Sequence, residues 1–256
     1  DAFFWENPQD YNKWWLKYYL WSIIEGLNGK SKIISASLAT EKKITSLLKP
    51  KLIQTIYQSA PQLNVAAVAE PYEKLVHQSY FLHVGVLEKR KNLAVLIKGF
   101  ALFLKEFPDY KLVLVGQKGP AKDLDDYQTL KILVRQLNLD EHVLFTGYAS
   151  ANQLKWFYEN AWAYAFPSVH EGFGIPILEA FSYGLPVILS ENEATNEIAG
   201  TGGLSVQSLD PHAWSKAMKK LINSSNLRND LIKNGKLRLK EFSKKNFLEG
   251  IENYIA

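Results

Sequence analysis

The stretch Phe166-Pro167-Ser168-Val169-His170-Glu171-Gly172-Phe173-Gly174-Ile175-Pro176-Ile177-Leu178-Glu179-Ala180 concentrates the residue types best suited to chemistry in this chain of 256 residues. Gly172 and Gly174 let the backbone approach a ligand closely or take φ > 0. Pro176 falls where a helix should begin, its favoured first-turn position. Free N–H groups at such a turn, added to the helix dipole, make an anion site suited to phosphate. Glu171, in the loop, and Glu179, in the first turn or so of the helix, flank it. Carboxylates accept hydrogen bonds from vicinal hydroxyls, so one ligand carrying both sugar and phosphate would satisfy every group. On residue types alone, a glycine turn with a helix-favouring Glu near an N-terminus explains the stretch equally well.

A second cluster, Val84-Gly85-Val86-Leu87-Glu88-Lys89-Arg90-Lys91-Asn92, again stands after a strand and before a helix. Arg90 as a fork and Lys91 as a point charge suit a diphosphate. Taken alone, a solvated basic turn is the simpler account, but two such loops on strand ends of one sheet favour the first. His77, His83, His142, His170 and His212 show no paired metal-ligand spacing, so no metal is expected. His170, beside Glu171, is the one histidine kept as a site candidate. Gly26-Leu27-Asn28-Gly29-Lys30-Ser31 lacks the glycine spacing of a P-loop, and no G-x-G-x-x-G follows a strand. Gly200-Thr201-Gly202-Gly203 reads as a turn before the run 204–206. Asn223-Ser224-Ser225 matches a glycosylation sequon that is expected to stay unmodified.

Positioning these loops requires a regular scaffold, and the pattern from Tyr80 onward supplies it. Short β-branched or aromatic runs occur at 81–84, 112–115, 143–145, 163–166 and 186–189, with amphipathic stretches at 93–107, 124–137, 153–158 and 176–183 between them. Leu93, Leu96, Ile97, Phe100, Phe103, Leu104 and Phe107 recur at helical spacing, with Asn92 placed to cap. Such alternation predicts βαβ units and a doubly wound parallel sheet, whose ligands sit beyond the carboxyl ends of the strands. After Asp210-Pro211 the chain is expected to be helical at 212–222, 227–242 and 247–254.

The first seventy or so residues differ: an aromatic-rich helix around Trp14–Ile24 stopped by Gly26 and Gly29, a strand at 32–37, a helix at 40–48 and a strand at 52–57. One helix and a βαβ unit bury too little surface to stand alone, so this segment reads as the tail of something larger. Trp14, Trp15, Tyr18, Tyr19 and Trp21 would suit either a membrane interface or, more commonly, a helix buried inside the missing part of a domain.

Composition sets the outer bounds. The chain is 47% apolar and 22% charged, within the range of folded globular proteins. Lys+Arg 30 against Asp+Glu 26 gives a net charge of +4 without a basic stripe, so no nucleic-acid partner is expected. With Cys at 0, disulfides, thiolate metal sites and cysteine nucleophiles are excluded. No apolar run reaches the ~18–20 residues that span a bilayer, and the opening residues lack signal-peptide features. A cytoplasmic setting is the expectation.

His170-Glu171-Gly172-Phe173-Gly174-Ile175-Pro176-Ile177-Leu178-Glu179-Ala180 resembles the E-x7-E signature of retaining glycosyltransferases with the GT-B fold. Val84–Leu93 is similar to the family's phosphate-contacting loop. Val113-Leu114-Val115-Gly116, Phe145-Thr146-Gly147-Tyr148, Gly184-Leu185-Pro186-Val187-Ile188, Asn196-Glu197-Ile198-Ala199-Gly200 and Asp210-Pro211 fall where the family places them. The likeness covers roughly residues 80–245 and implies a Rossmann-like C-terminal half of a GT-B fold. It implies a remnant of an N-terminal acceptor domain at 1–76, a donor-binding domain at 77–245 and a trailing helix at 246–256.

What the resemblance implies for function follows position by position. Glu171 would contact hydroxyls of a donor sugar, with His170 beside it among the catalytic candidates. Glu179 would hold the ribose, and Gly172, Phe173, Gly174 and Ile175 would cradle the phosphates. Arg90 and Lys91 would complete the charge balance, and Tyr148 would lie near the base. The family works without a metal or other cofactor, through front-face attack assisted by the leaving phosphate. Many members carry Arg directly after the glycine of the phosphate loop, where this chain has Val86. The L-E-x-R-K-N variant resembles members using GDP-mannose or a related donor, and UDP-sugars stay open. The implied partners are a nucleotide-sugar donor, a sugar, glycan or lipid-linked acceptor, and the rest of the N-terminal domain or a second polypeptide supplying it. Peripheral contact with the cytoplasmic face of a membrane stays open, as does a non-catalytic nucleotide-sugar binding module.

Overall fold

The computed structural model describes residues 31–61, 68–119 and 124–255, together with Trp14, Tyr18, Trp21, Ser22, Ile23 and Gly29. The remainder of the aromatic-rich helix, Gly26 of its glycine stop and most of the P-loop-like Gly26–Ser31 lie outside the described residues. Trp14, Tyr18 and Trp21 are exposed in this chain.

The sheet follows the sequence pattern closely. Six parallel strands form it: β3 (Tyr80–Val84), β4 (Lys111–Val115), β5 (Val143–Gly147), β6 (Ala163–Phe166), β7 (Val187–Ser190) and β8 (Gly203–Val206), in the order β5-β4-β3-β6-β7-β8. Their side chains alternate between two cores, as a period of two demands. Phe81, Leu112, Leu114, Ala163, Ala165 and Ile188 face one core, shared with α2 (Leu93–Leu104), α3 (Tyr127–Gln136), α7 (Pro211–Asn223) and α8 (Ser225–Arg238). Tyr80, Leu82, Val113, Val115, Tyr164, Phe166, Val187 and Leu189 face the other, with α4 (Ala151–Asn160), α5 (Ile175–Ser182) and α6 (Glu193–Ala199). Strands covered on both faces need no polar side, which is why they read as continuous apolar runs.

Ahead of this sheet, β1 (Lys32–Ser35) and β2 (Leu52–Thr55) pair in parallel, joined by α1 (Leu38–Leu47). This is the expected βαβ unit. It is fastened to the C-terminal end of the chain. Ala60 N–H donates to the Phe242 carbonyl at 2.8 Å, and the Tyr57 and Phe242 rings lie 5.3 Å apart. The last helix, α9 (Lys244–Ile255), brings Gly250 so close to Ile56 that a Cβ there would sit 2.8 Å from the Ile56 side chain.

Three local expectations change. Asn92 precedes α2 but does not cap it. It adopts a left-handed conformation, φ 51°, and its amide instead donates to the Ser208 carbonyl at 2.9 Å. The helix expected over 227–242 divides after Arg238 into α8 and a short 3₁₀ turn, Leu239–Phe242, which turns Phe242 into the core. Helix α6 lacks a long apolar period and announces itself only through its cap, Asn192, whose side chain accepts from Ala194 and Thr195 N–H groups. Among the described residues, no helix is long and apolar enough to cross a membrane, and no group of three or more His, Asp or Glu side chains is placed to hold a metal.

Candidate functional site

The strand order reverses between β3 and β6, so the loops leaving these two adjacent strands open a crevice at the carboxyl edge of the sheet. The β3 loop carries Arg90 and Lys91 in a 3₁₀ turn, and the β6 loop runs from Pro167 to Gly174. Local bonds fix both. Val169 N–H donates to the Arg90 carbonyl at 3.2 Å, and the Asn192 amide donates to the Val169 carbonyl at 2.6 Å. Ser190 Oγ donates to the Pro167 carbonyl at 2.8 Å, and Tyr164 OH to the Val84 carbonyl at 3.1 Å.

The two charged clusters meet here. Glu171 Oε1 accepts from Arg90 at 3.0 Å and from Lys91 at 2.5 Å, and Glu88 accepts from Arg90 Nε at 2.9 Å. Arg90 and Lys91 are therefore not a solvated basic turn. Lys91 is only 7% exposed and lies 5.4 Å from the Phe166 ring centre. Nor are they a bare positive patch, since two carboxylates already balance two cations. Burial alone would raise the Glu171 carboxyl, yet the Lys91 and Arg90 charges hold it below the usual carboxylate value. Burial lowers the Lys91 ammonium, and Glu171 opposes that shift.

Beneath this cluster His83 is wholly buried, its Nδ1 bonded to the Ala165 carbonyl at 3.0 Å. Among the described residues its Nε2 has no hydrogen-bond partner. Burial, reinforced by the Lys91 charge, lowers its pKa from 6.5 to about 4, so the imidazole is neutral at physiological pH.

Glu171 leads directly into the turn. Gly174, with φ 115°, adopts a conformation that favours glycine, and Ile175 and Pro176 open α5. Among the described residues, no protein group accepts from the N–H groups of Gly172, Phe173 or Gly174. Phe173 and Gly174 are buried, and buried backbone N–H groups are rarely left without an acceptor. The Phe173 side chain faces away into the core, against Tyr57 and Phe242. Backbone N–H groups at a helix N-terminus, in front of a switch point, are suited in kind to an anion.

Glu179 is the fifth residue of α5, a turn beyond the glycines, and accepts from Tyr158 OH at 2.8 Å. Burial and the neighbouring charges raise the Tyr158 hydroxyl well above the tyrosine range, so it is a permanent donor to Glu179. His170 is half-buried beside Glu171. Tyr148 stands apart: it is 74% exposed, just beyond the edge strand β5, two strands from the reversal.

The clustering of Arg90, Lys91, Glu171 and Gly172–Gly174 was expected. Sequence reasoning missed the contribution of α1. The Ser37 and Thr40 hydroxyls donate to the Gly172 carbonyl at 2.7 and 3.1 Å. The Leu38 and Ala39 N–H groups donate to the two Glu197 carboxylate oxygens at 2.7 and 3.0 Å. Ser37 preceding an apolar–polar helical run signals a cap, which it is, but nothing local signals Gly172 as a partner 135 residues away.

Residues 69–238 match the family model described as glycosyl transferases group 1, about two thirds of the chain. The chain belongs to the group 1 glycosyl transferases. It is 32% identical over 180 residues to O-antigen chain mannosyltransferase B of Escherichia coli, covering 70% of this chain and 46% of that protein. Its backbone is similar to that of sucrose-phosphate synthase from Thermosynechococcus elongatus, with a TM-score of 0.77, 23% identity and coverage of 93% and 61%. It is also similar to the C-terminal domain of a group 1 glycosyl transferase (LpcC) from Francisella tularensis, with a TM-score of 0.58, 24% identity and coverage of 74% and 97%. These two likenesses show the fold. The group 1 chain spans about half the length of the curated relatives it matches.

Proposed function

We propose that this chain carries the donor-binding half of a metal-independent, retaining glycosyltransferase that works in the cytoplasm, and that residues 1–76 close its acceptor domain. The observation that carries the reading is the run of N–H groups at Gly172, Phe173 and Gly174 that have no acceptor among the described residues, set at the switch point beside Lys91 and Glu171. A nucleoside diphosphate ester places its β-phosphate on these amides and the α5 dipole. Arg90 and Lys91 re-share their hydrogen bonds between Glu171 and the diphosphate. Glu171, freed in part, accepts from hydroxyls of the sugar, and His170 contributes beside it. Glu179, held by Tyr158, accepts from the ribose hydroxyls, while Tyr148 closes over the base.

In the transfer step the acceptor hydroxyl oxygen bonds to the anomeric carbon on the face the diphosphate leaves. The anomeric C–O bond breaks with its electron pair going to the diphosphate, which takes the acceptor's proton. The protein's contribution is electrostatic: preorganised amides, a helix end and two cations stabilise the departing charge, and no metal is required. The matched E. coli protein is named as a mannosyltransferase of O-antigen chains. That name supports a hexose nucleotide donor and a glycan or lipid-linked acceptor in polysaccharide synthesis. Calorimetric titration with GDP, UDP and ADP tests the reading. One of them binds, and Glu179→Ala weakens that binding; equal binding by the variant removes Glu179 from the nucleotide site.

A further inference from the structure

The β6 loop is held from outside its own domain. Ser37 and Thr40, at the start of α1, both donate to the Gly172 carbonyl. Ser37 is fully buried while doing so. The start of α1 is itself anchored: its first two amides grip the Glu197 carboxylate. Glu197 cannot drift, because Arg238 binds the carbonyls of Glu197 and Ile198 at 2.6 and 3.0 Å. A trans peptide is planar, so its C=O and N–H point in opposite directions. Pinning the Gly172 carbonyl to α1 therefore aims the Phe173 N–H away from α1.

We propose that Ser37 and Thr40 are positioning residues for the phosphate cradle, and that Glu197 is the anchor that keeps them there. By fixing the plane of the 172–173 peptide they present the Phe173 amide to the diphosphate. Docking of the 31–57 segment and diphosphate binding are then mutually favourable, by linkage. The inference rests on the donor-site reading given above, and it adds residues from a different sheet to that site.

The test uses the full chain and titrates GDP, UDP and ADP by calorimetry. The wild type is compared with Ser37→Ala/Thr40→Val, which removes both hydroxyls, and with Ser37→Thr/Thr40→Ser, which keeps them. The first variant should bind the diphosphate about tenfold more weakly, the upper worth of one neutral hydrogen bond. The second should bind like the wild type. Amide spectra should show the Phe173 N–H shifting on ligand addition in the wild type and in Ser37→Thr/Thr40→Ser only. If the wild type binds and the hydroxyl-free variant binds equally well, the positioning role is wrong and the donor site stands. If both double variants lose affinity alike, the hydroxyls are not the cause and the proposal fails. If the wild type binds none of the three nucleotides, the donor site and this proposal fall together. Should the hydroxyl-free variant not fold, Thr40→Val alone, which spares the Ser37 cap, should still weaken binding about threefold, and unchanged binding by it overturns the proposal.

Discussion

Lys91 Nζ lies 2.5 Å from Glu171 Oε1, joining the loops that leave β3 and β6 across the reversal of the sheet. Both side chains are nearly buried, 9% and 12% exposed, so neither charge is repaid by water if its partner is removed. This pair fixes the mouth of the site, and it keeps the cations within reach of a diphosphate without leaving them uncompensated. A buried pair of this kind is costly to break from one side.

Glu171→Gln should therefore destabilise the fold by about 3 kcal/mol, and Lys91→Met by a similar amount. The double substitution should cost less than the sum, because it leaves no orphaned charge. Urea unfolding of the four proteins measures this, and simple additivity would show the pair to be energetically independent.

Acid should weaken the protein in two windows. His83 is held at about 4 in the fold against 6.5 for the free group, so the unfolded chain binds its proton first. Its contribution is complete above pH ~6.5 and is lost as pH falls towards ~4, about 3 kcal/mol in all. The Glu171 contribution is present above the ordinary carboxylate value, pH ~4.3, and disappears as pH falls through the lowered native value. His83→Phe should flatten the stability profile in the upper window and leave the lower one, as chemical denaturation across pH would show.

Tyr158→Phe should cost about 1 kcal/mol of stability through the lost hydrogen bond to Glu179. It should also weaken nucleoside diphosphate binding, by less than Glu179→Ala does, because the carboxylate remains but is no longer oriented. Equal loss in the two variants would mean that Tyr158, not Glu179, contacts the ligand.

The backbone at Gly116 is as constrained as any side chain in the site. A Cβ there would stand 1.8 Å from the Gly85 carbonyl oxygen, and φ is 155°. Gly116→Ala should force the start of the Lys91 loop aside and cost more than about 3 kcal/mol. A thermal midpoint within error of the wild type would contradict the close packing of these two loops.

Much of this was legible in the sequence because it is local. Apolar runs at strand length, helices between them, and glycines before Pro176 are periodic or adjacent signals, and β3–β7 and the β6 loop fall where they point. Other features depended on partners far along the chain. Asn92 looks like a helix cap, but Ser208 offers its amide a carbonyl that the helix start does not. Arg90 and Lys91 suit a diphosphate by type, but their pairing with Glu171, some 80 residues later, shows only in the fold. The grip of Ser37 and Thr40 on Gly172 joins two sheets and carries no sequence period at all. Helix α6, with seven residues, is too short to show an amphipathic repeat.

The central claim concerns three amides, and they can be observed individually. With glycine and phenylalanine labelled by ¹⁵N, amide spectra of the chain are recorded as GDP or UDP is added. The account predicts that the signals of Gly172, Phe173 and Gly174 move together and become protected from exchange with solvent as the nucleotide saturates. Saturable nucleotide binding that leaves those three signals where they were would contradict it.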